Sequence, residues 1–147
     1  MIMEEVKIAL VRGGSKLPKR ATDGSVGYDV FASEVVRIDG NTYRVNLGFK
    51  MEMPDGWHAE VFPRSSLAKT PGWRLVNSVG VIDNDYRGEV SMVFRCDEDE
   101  VAFPYIEGDR CGQMLFRRSL IAAISEVSEE ELSSTSRGEG GYGSTGK

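Results

Sequence analysis

Apolar and polar residues alternate along much of this chain. Val45, Leu47, Phe49, Met51 and Met53 are interleaved with Arg44, Asn46, Gly48, Lys50 and Glu52. Successive side chains of a strand point to opposite faces, so this pattern predicts a strand with one buried side. Val36 and Ile38 run into Asp39-Gly40-Asn41, a hairpin turn signal, and Tyr43 and Val45 follow it. Trp57, Ala59 and Val61 alternate again before Pro63, and Val90, Met92 and Phe94 face away from Glu89, Ser91 and Arg95. Strand-like runs recur about every ten residues between Gly, Pro and Asp, the spacing of a sandwich, jelly roll or barrel.

Helical signals are few. Ser65-Ser66-Leu67-Ala68-Lys69-Thr70 has a capping serine at its start and Gly72 two residues beyond its end, enough for one or two turns. Ser128 to Leu132 has the makings of a capped turn, but three consecutive glutamates more often mean a solvated segment. From Ser133 onward the one large apolar side chain is Tyr142, set among five glycines, four serines and two threonines. Composition alone makes this a flexible linker. The order of residues says more: Arg137, Tyr142, Gly143, Ser144 and Thr145 combine a guanidinium, a flat ring, two hydroxyls and bare backbone amides, the parts of a clamp for a phosphate and a base.

At 147 residues the chain has room for one domain with one core, and 40% apolar content is ordinary for a globular protein. The net charge of −5 argues against a non-specific grip on nucleic acid or an acidic membrane, so any phosphate must be met by a local cluster of donors. Cys96 and Cys111 lack a Cys-x-x-Cys spacing; one disulfide is arithmetically open to them, and two buried free thiols in a reducing compartment is the favoured reading. Glu4 and Glu5 interrupt the apolar start, which does not read as a signal peptide, and no stretch approaches the ~20 apolar residues that cross a bilayer. The expected location is the cytoplasm.

Several segments carry candidate chemistry. Gly27-Tyr28-Asp29-Val30 places a carboxylate in an apolar strand, where a plain edge aspartate is the alternative. Pro63-Arg64-Ser65-Ser66 ends a strand, supplies an arginine and opens a helix whose N–H groups suit an anion; a simple N-cap is the alternative. Asn77 to Glu89 reads as a strand, a tight turn and a returning strand. Asp83 ends its apolar run, where desolvation would raise a carboxylate toward the range of a useful base. Gln113 sits among apolar neighbours after Gly108-Asp109-Arg110-Cys111-Gly112, and a buried amide needs partners. His58, the one histidine, lies on a polar strand face and reads as surface, which removes histidine metal sites and Ser-His triads.

In this order the segments resemble the five motifs of the trimeric dUTPase family, from about Gly24 to the C-terminus. The most specific are Gly-Val-Ile-Asp-x-x-Tyr-x-Gly at 80–88 and Arg-Gly-x-Gly-Gly-aromatic-Gly-Ser-Thr-Gly at 137–146. Two positions depart from the family pattern: Ser66 stands where the second motif has glycine, and Tyr142 where the fifth has phenylalanine. The resemblance implies an all-β, jelly-roll-like β-clip barrel with one short helix, residues 1–132 forming a single domain with the nucleotide site. Residues 133–147 are the expected flexible Gly-rich tail that closes over it.

The resemblance further implies hydrolysis of dUTP to dUMP and pyrophosphate, which clears dUTP and supplies dUMP for thymidylate synthesis. Asp83 then directs a water at the α-phosphorus. Tyr86 packs under the deoxyribose. Asn77, Gly80, Val81 and Ile82 read the uracil, and Arg64, Ser65, Ser66 and Gln113 hold the phosphates. Arg137, Ser144 and Thr145 close on the γ-phosphate, with Gly143 in the same loop, while Tyr142 stacks on the base. Asp29 is associated with Mg²⁺ through water. The implied assembly is a homotrimer with shared sites, its partners being dUTP, dUMP and its own copies. A dCTP deaminase shares the fold but uses a glutamate in the third segment and lacks this tail; a nucleotide-switched regulatory protein is a second alternative.

Overall fold

The computed structural model describes residues 3–146; Met1 and Lys147, the ends of the expected domain and tail, lie outside the described residues with Ile2. Ten strands follow in order: β1 (Lys7–Leu10), β2 (Tyr28–Phe31), β3 (Glu34–Asp39), β4 (Thr42–Asn46), β5 (Phe49–Glu52), β6 (Trp57–Phe62), β7 (Trp73–Leu75), β8 (Gly80–Ile82), β9 (Ser91–Cys96) and β10 (Arg110–Arg118). They form two four-stranded sheets, β2-β10-β6-β8 and β3-β4-β9-β7, and a ribbon β1-β5. Every pairing is antiparallel. The all-β, jelly-roll-like expectation therefore holds. The predicted short helix is a 3₁₀ segment, Ser65–Lys69, and a second covers Glu129–Glu131. No helix among the described residues is long and apolar enough to cross a membrane.

The period-two reading locates the core. Val45, Leu47, Phe49, Met51 and Met53 are all buried, and so are Val90, Met92 and Phe94. Each large side chain taken out of water in this way contributes about 1.5–3 kcal/mol. The run from Val45 to Met53 is nevertheless two strands. β4 lies in the sheet with β3 and β9, whereas β5 pairs with β1. The break falls at Gly48, whose φ is +75°; a β-carbon there would lie 2.0 Å from Ser15 Oγ and 2.6 Å from Ser33 Oγ. Asn46, placed by alternation on the polar side, is buried and donates from Nδ2 to Glu34 Oε2 at 2.5 Å. The Asp39-Gly40-Asn41 turn joins β3 to β4 as expected, with Arg37 opposite Tyr43.

Other expectations need correction. The 3₁₀ segment at Ser65 is capped by Arg64, with no side-chain cap bond, and at five residues it is too short to gather a helix dipole. Ser128 does form a capping box with Glu131, in a segment that is exposed throughout. His58 is partly buried: its ring nitrogens are 2.7 Å from Ser119 Oγ and 3.2 Å from Glu60 Oε1.

Both cysteines are free and buried. Burial pushes the Cys111 thiol up to about 12. The folded protein then keeps a proton that the unfolded chain releases above about pH 8.5. The thiol's contribution to stability is complete below that pH and is lost as pH climbs toward the folded value. Urea unfolding at fixed protein concentration should show stability falling above about pH 8.5. Cys111→Ala should reduce that slope by up to about 1.4 kcal/mol per pH unit. Equal slopes in the two proteins would show that this thiol carries none of it.

Candidate active site

The chemistry-bearing residues fall into three groups, and strand pairing fixes the first. Asp29 of β2 lies opposite Gln113 of β10, which lies opposite Phe62 of β6 on its other side. Gln113 Nε2 donates to the Pro63 carbonyl at 3.3 Å, so the amide faces the start of the Arg64–Ser66 segment. The Arg64 guanidinium donates to the Arg110 carbonyl at 3.4 Å, and Arg110 Nη1 lies 3.4 Å from Asp29 Oδ2. Ser65 and Ser66 are exposed. A cavity of about 460 Å³ opens beside them, lined among others by Arg64, Ser66 and Arg110. Arg110 was not singled out in the sequence. Its signal was available as a cation three residues before Gln113 in the same segment, but the contact with Asp29 depends on strand register.

The second group surrounds β8. This strand is the edge of its sheet and pairs on one side only, with β6. Its other side leaves main-chain N–H and C=O groups free to meet a ligand. Cavities of about 360 Å³ and 170 Å³ run beside it and share Ser91; Asn77 and Gly80 line the first, and Val81, Ile82, Asp83 and Tyr86 the second. The Asp83 carbonyl accepts the Tyr86 N–H at 3.2 Å, which closes the turn. Asn84 Nδ2 braces it by donating to the carbonyls of Pro54 and Trp57 at 2.8 and 2.9 Å. Asn84 thus positions the turn through partners some thirty residues away in sequence, which a local motif does not reveal.

The structure revises two expectations here. The approach to Asp83 is not buried: Val81 is 63% exposed and Asp83 itself is exposed, so a single chain supplies no desolvation for that carboxylate. Nor does a strand return beside β8. The chain continues through Val90 into β9, which belongs to the opposite sheet. Apolar residues at an edge look the same in sequence as apolar residues in a core.

The Tyr-x-Gly spacing has a steric cause. The Tyr86 hydroxyl donates to the Glu89 carbonyl at 3.0 Å, laying the ring across Gly88. A β-carbon at position 88 would fall 2.3 Å from the hydroxyl oxygen and 2.5 Å from Cζ.

The third group is the C-terminal segment. Residues 121–139 are exposed, including Ile121 at 90% and Ile124 at 95%, and so is Tyr142. Hydrogen bonds of this segment are local, such as Arg137 Nε to the Gly140 carbonyl at 2.7 Å. Arg137, Tyr142, Gly143, Ser144 and Thr145 are therefore not brought to either of the other groups. The cavity beside Arg64 and the one beside Asp83 share no lining residue.

Comparison with known proteins gives the family. The dUTPase family matches residues 14–146. A deoxyuridine 5′-triphosphate nucleotidohydrolase of Yarrowia lipolytica is 38% identical over 143 residues, covering 96% of this chain and 88% of the relative. One from Anaplasma marginale is 40% identical over 152 residues, covering 98% and 99%. In structure, the Staphylococcus bacteriophage 80alpha dUTPase solved with dUPNHPP aligns with a TM-score of 0.82 at 21% identity, covering 99% of this chain and all of that one, a likeness of fold. The chain belongs to the dUTPase family.

Gly88→Ala should drive the Tyr86 ring from its seat and break its bond to Glu89, at a cost of about 1–3 kcal/mol. Aromatic NMR shifts of Tyr86 report the movement, and unchanged shifts would refute the steric account.

Proposed function

We propose that this member of the dUTPase family hydrolyses dUTP to dUMP and pyrophosphate at sites assembled between the subunits of a homotrimer. What supports the assembly is the separation of the three groups within one chain. The Arg64–Gln113 group, the Asp83–Tyr86 groove and the exposed tail are each incomplete alone. A neighbour that presents one group to another also covers Asp83, giving the desolvation that the lone chain lacks. The exposed Ile121 and Ile124 accord with a segment that leaves its own body for another.

In this reading the free edge of β8, with Asn77, hydrogen-bonds the uracil. Uracil and cytosine reverse donor and acceptor at N3 and position 4, so a polar slot can discriminate between them by about 10⁴–10⁵. The Tyr86 ring, held by Gly88 and Glu89, leaves no space for a 2′-hydroxyl. Arg64, Ser65, Ser66 and Gln113 hold the phosphates. Arg137, Ser144 and Thr145 close on the γ-phosphate, Gly143 lends flexible backbone, and Tyr142 stacks on the base. Asp83 orients a water in line with the α-phosphorus and takes its proton. The new P–O bond forms as the bond to the β-phosphate's bridging oxygen breaks, and pyrophosphate leaves with that electron pair.

Asp29 would hold a Mg²⁺ carried by the triphosphate, through water, and that ion supplies charge neutralisation at the phosphates. The donor set fits such an ion. Asp29 is one partly buried carboxylate, the single oxygen acceptor that an ion keeping its own waters would ask of the protein. The two buried free thiols accord with a cytoplasmic location.

Asp83→Asn should lower kcat by about 10²–10⁴ while dUTP binding persists. Pyrophosphate release and equilibrium binding measure the two separately, and wild-type turnover would remove Asp83 as the base. Assembly is tested by complementation. Asp83→Asn keeps its tail, and a chain ended at Ser136 keeps its base; each alone should be nearly inactive. Unfolded together and refolded as mixed trimers, they should regain activity. If each tail served its own subunit's Asp83, mixing would restore nothing.

A further inference from the structure

The cavity beside Arg64 contains a group that the scheme above leaves without a task. Tyr105 is 92% buried, being 8% exposed, and its hydroxyl oxygen has no hydrogen-bond partner among the described residues. Its ring packs on Phe94 at 5.6 Å and Phe103 at 5.7 Å between centroids, work that a phenylalanine would do equally well. The hydroxyl adds nothing to that packing. A buried donor left unpaired is a standing cost to the fold, which a partner entering from outside would relieve.

The surroundings state what kind of partner. Tyr105 lines the 460 Å³ cavity together with Arg64, Ser66, Asp109 and Arg110. Arg64, Arg110 and Ser66 thus bring two guanidiniums and a hydroxyl to the cavity lining, beside the apolar Leu67 and Pro104. The Asp109 carboxylate accepts the Ile106 N–H at 2.8 Å through Oδ2, and the two guanidiniums outnumber its single negative charge. The contact holding Arg64 is 3.4 Å long, so its guanidinium can turn to a better acceptor. Cations and neutral donors around an open volume suit a phosphate, whose oxygens only accept.

We infer that the Tyr105 hydroxyl is a further anion-binding group of this site, donating a hydrogen bond to the terminal phosphates of bound dUTP and to pyrophosphate after cleavage. This rests on the reading of Arg64 and Ser66 as phosphate ligands. Burial keeps the phenol above its ordinary pKa and hence in its donor form. The competing occupant is an ordered water that bonds the hydroxyl and is indifferent to nucleotide.

Tyr105→Phe removes one oxygen and keeps the ring. With the whole enzyme, the KM for dUTP and the Kd for pyrophosphate by calorimetry should each rise about tenfold, the loss of one hydrogen bond to a charged acceptor. Affinity for dUMP, which lacks those phosphates, should hold, kcat should change by less than about twofold, and the melting temperature should equal or exceed wild type. Unchanged KM and pyrophosphate Kd would overturn the inference in favour of a water. A lowered melting temperature with unchanged binding would overturn it in favour of a protein partner. Arg64→Ala separates the inference from the reading beneath it. If Arg64→Ala weakens pyrophosphate binding and Tyr105→Phe does not, the phosphate site stands and the Tyr105 contact is wrong. If only Tyr105→Phe weakens it, the hydroxyl binds the anion and Arg64 is no ligand.

Discussion

The chain changes sheet between β4 and β5 without changing face, and the shared core rests on that crossing. Val45 points inward from one sheet, Phe49 and Met51 point inward from the ribbon, and Leu47 between them is equally buried. Backbone bonds tie Val90 across this crossing: the Leu47 N–H donates to the Val90 carbonyl at 2.9 Å and the Val90 N–H donates to the Phe49 carbonyl at 3.0 Å. Gly48 permits the bend, because a positive φ and the close approach of Ser15 and Ser33 leave no room for a side chain. A residue inserted here would shift the alternation by one and turn the apolar side chains of β5 to the opposite face. The same stitch fixes Val90, and through it the segment that carries Asp83 and Tyr86 into β9.

The site draws on the parts of the fold that the core leaves over. β8 pairs on one flank, so alternate residues along its other flank leave main-chain groups free. The turn after it is held by Asn84 reaching to Pro54 and Trp57, so Asp83 stands on a braced loop although it is exposed. The Arg64–Gln113 group sits where the register of β10 sets Gln113 opposite Asp29 and within reach of the Pro63 carbonyl. The cavity beside Arg64 and the one beside Asp83 share no lining residue, and in the homotrimer we propose neighbouring copies would bring these unlike parts together.

In the role inferred for Tyr105, a core side chain would also serve a site. Its ring belongs to the aromatic cluster with Phe94 and Phe103, and the residue lines the cavity of Arg64 with its hydroxyl buried and unpaired. A side chain held on its apolar side loses little freedom when its polar end gains a partner, which is the condition for an effective ligand contact.

The sequence by itself determined the class of fold, most of the core and the order of the chemistry-bearing segments. Alternation depends only on the geometry of a strand, so Val45 to Met53 and Val90 to Phe94 were legible before any pairing was known. Motif spacing is local too, and it marked Asp83, Tyr86 and Gln113. Tertiary structure decided what alternation cannot encode: that Gly48 divides one pattern between two sheets, that Asn46 is buried against Glu34, and that Val81 lies on an open edge rather than in the core. It also decided that Arg110 meets Asp29, that Asn84 braces the turn, and that the Tyr105 hydroxyl is left unpaired. Each of these depends on which strands become neighbours and in what register. That choice is made by the collective burial of side chains far apart in the chain, and a local pattern carries no record of it.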